Sequence, residues 1–246
     1  MRNKIEKTYG GALRGLFFAV NPLKKKVLKT YCTVHKFIDI QALNILKNDG
    51  YEEEFEFLKK YISSINAGAM WADQDFKSSN HFYDYRKGKG LYGFSNALEE
   101  CRRYYSNALE YIQVGNMEKG MFYFGAACHL IQDTTVPQHV NNKLLKSHRK
   151  FELWIISKLM NDFIFVADSG VVRYKYIEDY IKNNAFIANN AYLKNIHIKD
   201  REQRYGNIAS VSLKEAQRTT AGFMLDFCDE IAKIRKDYKE LLEKAD

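Results

Sequence analysis

The stretch Cys128-His129-Leu130-Ile131-Gln132-Asp133-Thr134-Thr135-Val136-Pro137-Gln138-His139, with His148-Arg149-Lys150-Phe151-Glu152 soon after it, decides how the chain is read. His129 and Asp133 are four apart, so on a helix they share one face, one turn from each other. Pro137 cannot continue that helix, because it lacks an N–H and its ring clashes with the preceding turn. The chain bends there, and the bend can bring His139 back toward the same space. A second helix opening near Ser147 offers His148 and Glu152, again four apart on one face. Two amphipathic helices with buried histidines would be the plainer account of any single pair. The histidine census changes the weighting. Of the six, His35, His81, His129, His139, His148 and His197, three fall in this window, and both helical pairs place an acid one turn on. Three imidazoles and two carboxylates this close suit zinc, which takes neutral His nitrogen and carboxylate oxygen.

The 246 residues, 46% hydrophobic and 28% charged, are enough for a large core and ordinary for a globular chain. Only two prolines, Pro22 and Pro137, and no Gly/Ser-rich linker predict one helical body over 1–246, with a basic N-terminal extension at about 1–31. No apolar run approaches the ~20 residues that a membrane span requires. The formal net charge of +8 favours an anionic partner: a membrane surface, a nucleic acid or a phosphorylated substrate. Cys32, Cys101, Cys128 and Cys228 show no CxxC or framework spacing and read as reduced core residues, in a compartment not obviously oxidising.

Near the start, Gly11–Val20 resembles the apolar core of a signal peptide. Arg14 interrupts it, however, Asn21-Pro22 ends it, and Lys24-Lys25-Lys26 follows without a convincing cleavage site. Leu13, Leu16, Phe17 and Val20 instead make a short apolar helical face, packed on the body or laid on a membrane surface. From Thr33 the 3- and 4-residue spacing of Val34, Phe37, Ile38, Ala42, Ile45 and Leu46 predicts a helix ending at Asp49-Gly50. A second runs from Glu52 to Gly68, and Ala69–Phe76 reads as a loop toward His81. Ser95 is the expected N-cap of a helix reaching about Gln113, and Asn116 opens the helix that carries His129. Further helices are expected at roughly 147–161 and 175–195. A short one opens on Asp200-x-x-Gln203, and a last one starts at Ser212-x-x-Glu215. The only strand-like segment is Val171–Tyr176. The fold class is all-α, a compact multi-helix bundle around a zinc cluster.

Taken in order, His35, Ala72-Asp73, His81-Phe82-Tyr83-Asp84, Phe122-Tyr123-Phe124-Gly125, His129-x3-Asp133, Pro137-x-His139 and His148-x3-Glu152 resemble the bacterial zinc-dependent phospholipases C of the lecithinase type. Ala216-Gln217-Arg218 with Thr220-Ala221-Gly222 adds a late match, and the resemblance runs from about His35 to Phe227. It implies that Asp73, His81, His129 and Asp133 hold one zinc, and His139, His148 and Glu152 a second. His35 would join a third, with Asp133 bridging. Two zinc ions are expected to be held firmly and the third more weakly. The family completes that site with an N-terminal Trp, and this chain has no Trp before Trp71. Cys32, three residues before His35, is the one nearby residue that could supply a thiolate in its place, although a packed, reduced cysteine is the plainer reading. His197, in a polar stretch, is read as surface.

The activity implied is hydrolysis of the glycerol-side phosphodiester bond of a phospholipid at a membrane surface, giving diacylglycerol and a phosphorylated headgroup. Asp73 would be the catalytic base for the attacking water. Nothing calls for an obligate protein partner. The alternative enzyme is a zinc-dependent nuclease or other phosphodiesterase of the same fold, for which nucleic acid would be the partner and +8 the attraction. A zinc-stabilised membrane-binding module is the non-enzymatic alternative. Without a convincing signal peptide the chain reads as cytoplasmic or peripheral to a membrane, with secretion, the family habit, left open.

Overall fold

A helix with apolar residues on every side belongs in a core, and the sequence Met117–Asp133 is such a helix. In the computed structural model it is the axis of the fold, with twelve of its seventeen residues buried. The structure describes residues 21–74, 77–91, 95–141, 146–159 and 165–243, and their side chains apart from those of 21–32, 77–78, 146–148 and 241–242. The helices in chain order are α1 (Asn21–Asn48), α2 (Glu52–Lys60), α3 (Ile62–Ala72), α4 (Ala97–Gln113), α5 (Met117–Asp133), α6 (Pro137–Val140), α7 (Lys146–Leu159), α8 (Ile177–Asn195) and α9 (Arg201–Glu243), with a 3-10 turn at Lys77–Asn80. Among the described residues there is no strand, and no helix is long and apolar enough to cross a membrane. The apolar face over Leu13–Val20 and the signal-like segment lie outside the described residues.

Helices α4 and α5 form a tight antiparallel pair. Gly115, at φ +79°, ends α4 in a Schellman turn, in which Asn116 N donates to Tyr111 O and Gly115 N to Ile112 O. Asn116 then caps α5 through Lys119 N. On the other side α3 crosses α5 with almost no side chain between the backbones. A Cβ on Gly68 would lie 1.7 Å from Phe122 O, and one on Gly125 2.0 Å from Ile65 O. Each glycine admits the other helix's carbonyl. Helix α9 closes the far side, where Phe227 lies flat on Phe124 with ring centroids 3.9 Å apart. A smaller apolar cluster joins α1, α7 and α9 through Ile38, Phe151, Ile155 and Leu213.

Several boundaries differ from the expected ones. Asn96 rather than Ser95 caps α4, with Oδ1 accepting from Leu98 N and Glu99 N, while Ser95 Oγ donates to Glu99. The helix expected over Glu52–Gly68 breaks at Tyr61 and then continues to Ala72, so Ala69–Ala72 are helical rather than loop. The two helices expected after Asp200 are one. Asp200 does accept from Gln203 N, but Ser212 is buried in mid-helix, where its neighbours' burial outweighs its capping preference. Val171–Tyr176 forms no strand. Side chains hold its approach instead: Asp49 Oδ2 accepts from Gly170 N and Val171 N, and Gln217 bonds both Phe165 O and Ala167 N.

Because Gly125 sits against backbone that cannot rotate away, Gly125→Ala is expected to destabilise the protein by roughly 3 kcal/mol, the upper part of the overpacking range. Urea unfolding measures it; a change under about 0.5 kcal/mol, as at ordinary surface positions, would mean that α3 and α5 are not held in this contact.

Candidate metal centre

Side chains from α1, α3, the 81–85 segment, α6 and α7 meet those of α5 at its C-terminal end. His129 and Asp133 stand one turn apart on α5 itself. Thr134 and Thr135 turn their hydroxyls back onto Ile131 O and Gln132 O, and Pro137 starts α6 at its first position, where no N–H is needed. This short helix carries His139. The extended segment 81–85 runs beside it, with Tyr83 N donating to His139 O and Tyr85 N to Val140 O. That pairing sets His81 opposite His139, and Phe82 stacks on the His139 ring at 5.0 Å. Helix α1 supplies His35, and Asp73 caps the C-terminus of α3.

The centre is Asp133, 4% exposed. Its Oδ2 lies 2.8 Å from His81 Nδ1, 3.0 Å from His129 Nε2 and 3.9 Å from His139 Nδ1, and its Oδ1 lies 3.6 Å from His35 Nε2. His129 Nε2 and His81 Nδ1 are 3.1 Å apart. His139 Nε2 faces Glu152 Oε1 at 4.0 Å. Donor atoms of Asp73, His81 and His129 all lie within 4.8 Å of one another, as do those of His35, His129 and Asp133. His148 falls on α7, and its side chain lies outside the described residues, as does that of Cys32. His197 is exposed.

Protons alone satisfy this cluster poorly. His81 Nε2 and His129 Nδ1 are buried with no hydrogen-bond partner among the described residues, and buried polar atoms seldom stay so. Donor atoms about 3.4 Å apart are what a tetrahedral ion with bonds of about 2.0–2.1 Å requires, and the atoms around Asp133 are 2.8–3.9 Å apart. The donor set of imidazole nitrogen and carboxylate oxygen therefore fits zinc.

Electrostatics agree for His35 and His81. Burial, then the charge of His129, pushes His35 down to about 4. Burial likewise holds His81 at about 4, against the pull of Asp133. Both are neutral at neutral pH, with a lone pair to give. Burial also disfavours charge on His139, but Asp133 and Glu152 outweigh it and hold that imidazole up at about 9. Asp133 stays well below the carboxylate range, because His129 and His139 overcome its burial.

Two buried residues beside the cluster escaped the sequence reading. Gln132 bonds His35 on one side and Asp39 on the other. Burial raises Asp39 to about 7 despite its bond from Gln132. A signal was present, since Asp39 stands one turn after His35, the His–x3–acid spacing used elsewhere.

An all-α protein with a buried imidazole–carboxylate cluster of this kind has a donor set that could hold metal ions. A model of the family described as zinc dependent phospholipase C matches residues 34–234. The chain belongs to the zinc-dependent phospholipase C family. It is similar to a phospholipase C of Clostridium novyi, at 24% identity over 81% of this chain and 59% of that protein. It is also similar to one of Clostridium perfringens, at 24% over 85% and 63%. The chain thus spans about three fifths of these relatives' length. Among solved structures, the alpha toxin of Clostridium absonum superposes with a TM-score of 0.70 at 20% identity, covering 80% of this chain and 63% of the toxin. That likeness concerns the fold.

The metal-free protein has a stability profile set by these imidazoles, which titrate near 6.5 when unfolded. His35 and His81 bind protons more weakly when folded, so their contribution is complete above 6.5 and is lost as pH falls through about 4. His139 binds its proton more tightly when folded, so its contribution is complete below 6.5 and is lost as pH rises through about 9. Urea midpoints of the chelated protein should peak between these windows and decline on both sides; a steady rise from acid to alkaline pH would contradict the charge balance.

Proposed function

We propose that the chain is a zinc-dependent phospholipase C, cleaving the glycerol-side phosphodiester bond of a phospholipid. The observation that carries it is the convergence of His35, His81, His129 and His139 on the one carboxylate of Asp133, in a chain of this family. His81, His129, Asp133 and Asp73 would hold one ion, His139, Glu152 and His148 a second, and His35 with Asp133 would contribute to a third. Bound zinc supplies a Lewis acid, which neutralises charge on the phosphate in the transition state and makes water a competent nucleophile at neutral pH.

The chain's own groups position and move protons. Asp73, half-buried at the end of α3, has a carboxylate that could accept the proton of the attacking water. The water oxygen would bond to phosphorus as the phosphorus–oxygen bond to glycerol breaks, and the departing alkoxide would take the proton that Asp73 had accepted, giving diacylglycerol. Phe82 stacks on the His139 ring, and the imidazoles of His81, His129 and His139 are themselves buried. A phospholipid surface is the partner this reading requires, and the net charge of +8 would draw the chain to an anionic one.

Zinc-loaded protein should release diacylglycerol and a phosphorylated headgroup from phospholipid vesicles. The activity should vanish on chelation and return with zinc. Cleavage of single-stranded DNA with no lipid product would overturn the reading in favour of a nuclease. Asp133→Asn keeps the side chain's size but removes the charge that faces the imidazoles. It should lose bound zinc and turnover together, each by about 100-fold or more, beyond the usual cost of a supporting residue. Parental zinc content with near-parental turnover would show that Asp133 holds no metal.

A further inference from the structure

Behind His35 lies a run of buried polar contacts that the cluster itself does not need. His35 Nδ1 is 2.7 Å from Gln132 Oε1, and Gln132 Nε2 is 2.7 Å from Asp39 Oδ1. Asp39 and Gln132 are 0% and 1% exposed. The orientation of the Gln132 amide is dictated by chemistry. An ionised Asp39 oxygen at 2.7 Å only accepts, as the Gln132 oxygen does, so with Asp39 ionised the NH2 points to Asp39 and the oxygen to His35. An acceptor on Nδ1 requires that His35 carry its proton there. Nε2, which faces Asp133 Oδ1 at 3.6 Å, is then left with a bare lone pair.

We propose that Asp39 and Gln132 are positioning residues that hold His35 in the Nδ1–H tautomer with Nε2 turned toward Asp133. His35 stands between two acceptors, and they compete for its one proton. Asp133 would pull the proton to Nε2 and occupy the lone pair; Gln132 wins because it is nearer and its amide cannot turn while Asp39 accepts from it. The pair joins α1 to α5 as it does so, since Asp39 follows His35 by one turn and Gln132 directly precedes Asp133. Packing alone does not account for it. Asp39 Oδ2 is buried with no hydrogen-bond partner among the described residues, an arrangement that an apolar pair would avoid. For the metal the inference rests on the zinc-dependent reading above; for the tautomer it does not.

The test uses the full chain, chelated and zinc-loaded, with 15N NMR of the His35 ring at a pH well above the value of about 7 to which burial raises Asp39, so that Asp39 is ionised, the signals assigned with His35→Ala. The chelated parent should show Nδ1–H. Gln132→Met removes the acceptor and should shift His35 to Nε2–H. Asp39→Asn frees the amide of Gln132 to turn and should give a mixture of tautomers. The exchanged pair Asp39→Asn with Gln132→Glu reverses donor and acceptor, yet still offers an oxygen to Nδ1, and should restore Nδ1–H. With zinc, the two single variants should release one ion to a mild chelator with affinity lowered about 10–100-fold, the usual effect of losing a residue that orients a ligand, while the exchanged pair retains it. Nδ1–H in the Gln132→Met protein, or an exchanged pair that is folded by circular dichroism and lacks Nδ1–H, would overturn the proposal. A parent that binds no zinc but shows these tautomer changes would sink the family-based function and leave the positioning role standing.

Discussion

A carboxylate removed from water must be given donors, opposite charge or a cation to bind, and Asp133 faces four imidazoles from separate parts of the chain. That requirement organises the molecule. No single helix can surround one carboxyl group, because side chains on one helix meet only at three- and four-residue spacing. Only His129 satisfies that spacing. The other three imidazoles arrive on α1, on the 81–85 segment and on α6, so α5 must be flanked on several sides at its C-terminal end and held there rigidly.

The helical frame supplies that rigidity by bringing backbones close. Gly68 and Gly125 let α3 and α5 meet carbonyl to Cα, which places the end of α3, and Asp73 with it, beside the end of α5. Gly222 does the same for α9, where a Cβ would lie 1.9 Å from Val172 O. Backbone bonds from Tyr83 and Tyr85 to α6 give His81 and His139 a common support. Around this polar centre the shell is aromatic: Phe124 packs with Phe223 and Phe227, and Trp71 with Tyr104, Phe122 and Tyr123. Burial of that surface offsets the cost of desolvating the cluster.

Much of this was readable one residue at a time. Periodic apolar residues announced the helices because burial on one face needs nothing but spacing. His129 and Asp133 could be paired because the same geometry governs them. Capping signals were less dependable. Ser95 and Asn96 are adjacent good caps, and which one serves depends on Ala97 N reaching Phe82 O, a contact far away in sequence. Ser212 reads as a start and is interior, because its neighbours Leu213, Ala216 and Gln217 are buried on one continuous helix. The late motifs Ala216-Gln217-Arg218 and Thr220-Ala221-Gly222 looked like family marks without a role. In the fold they hold the 165–172 segment against α9.

By itself the sequence determined the class, the helix that carries the centre and the residue types able to form it, since propensity, period and donor chemistry are local properties. Proline at 137 also settled that the chain must turn before His139. Tertiary structure decided which nitrogen of each imidazole faces Asp133, how deeply each is buried and hence which are neutral, and that Asp39 is tied to the cluster through Gln132 rather than joining it. Those outcomes depend on distances between residues up to about a hundred positions apart (His35 and Gln132 differ by 97). Hydrogen bonding and desolvation act over a few ångströms of space and take no account of separation along the chain.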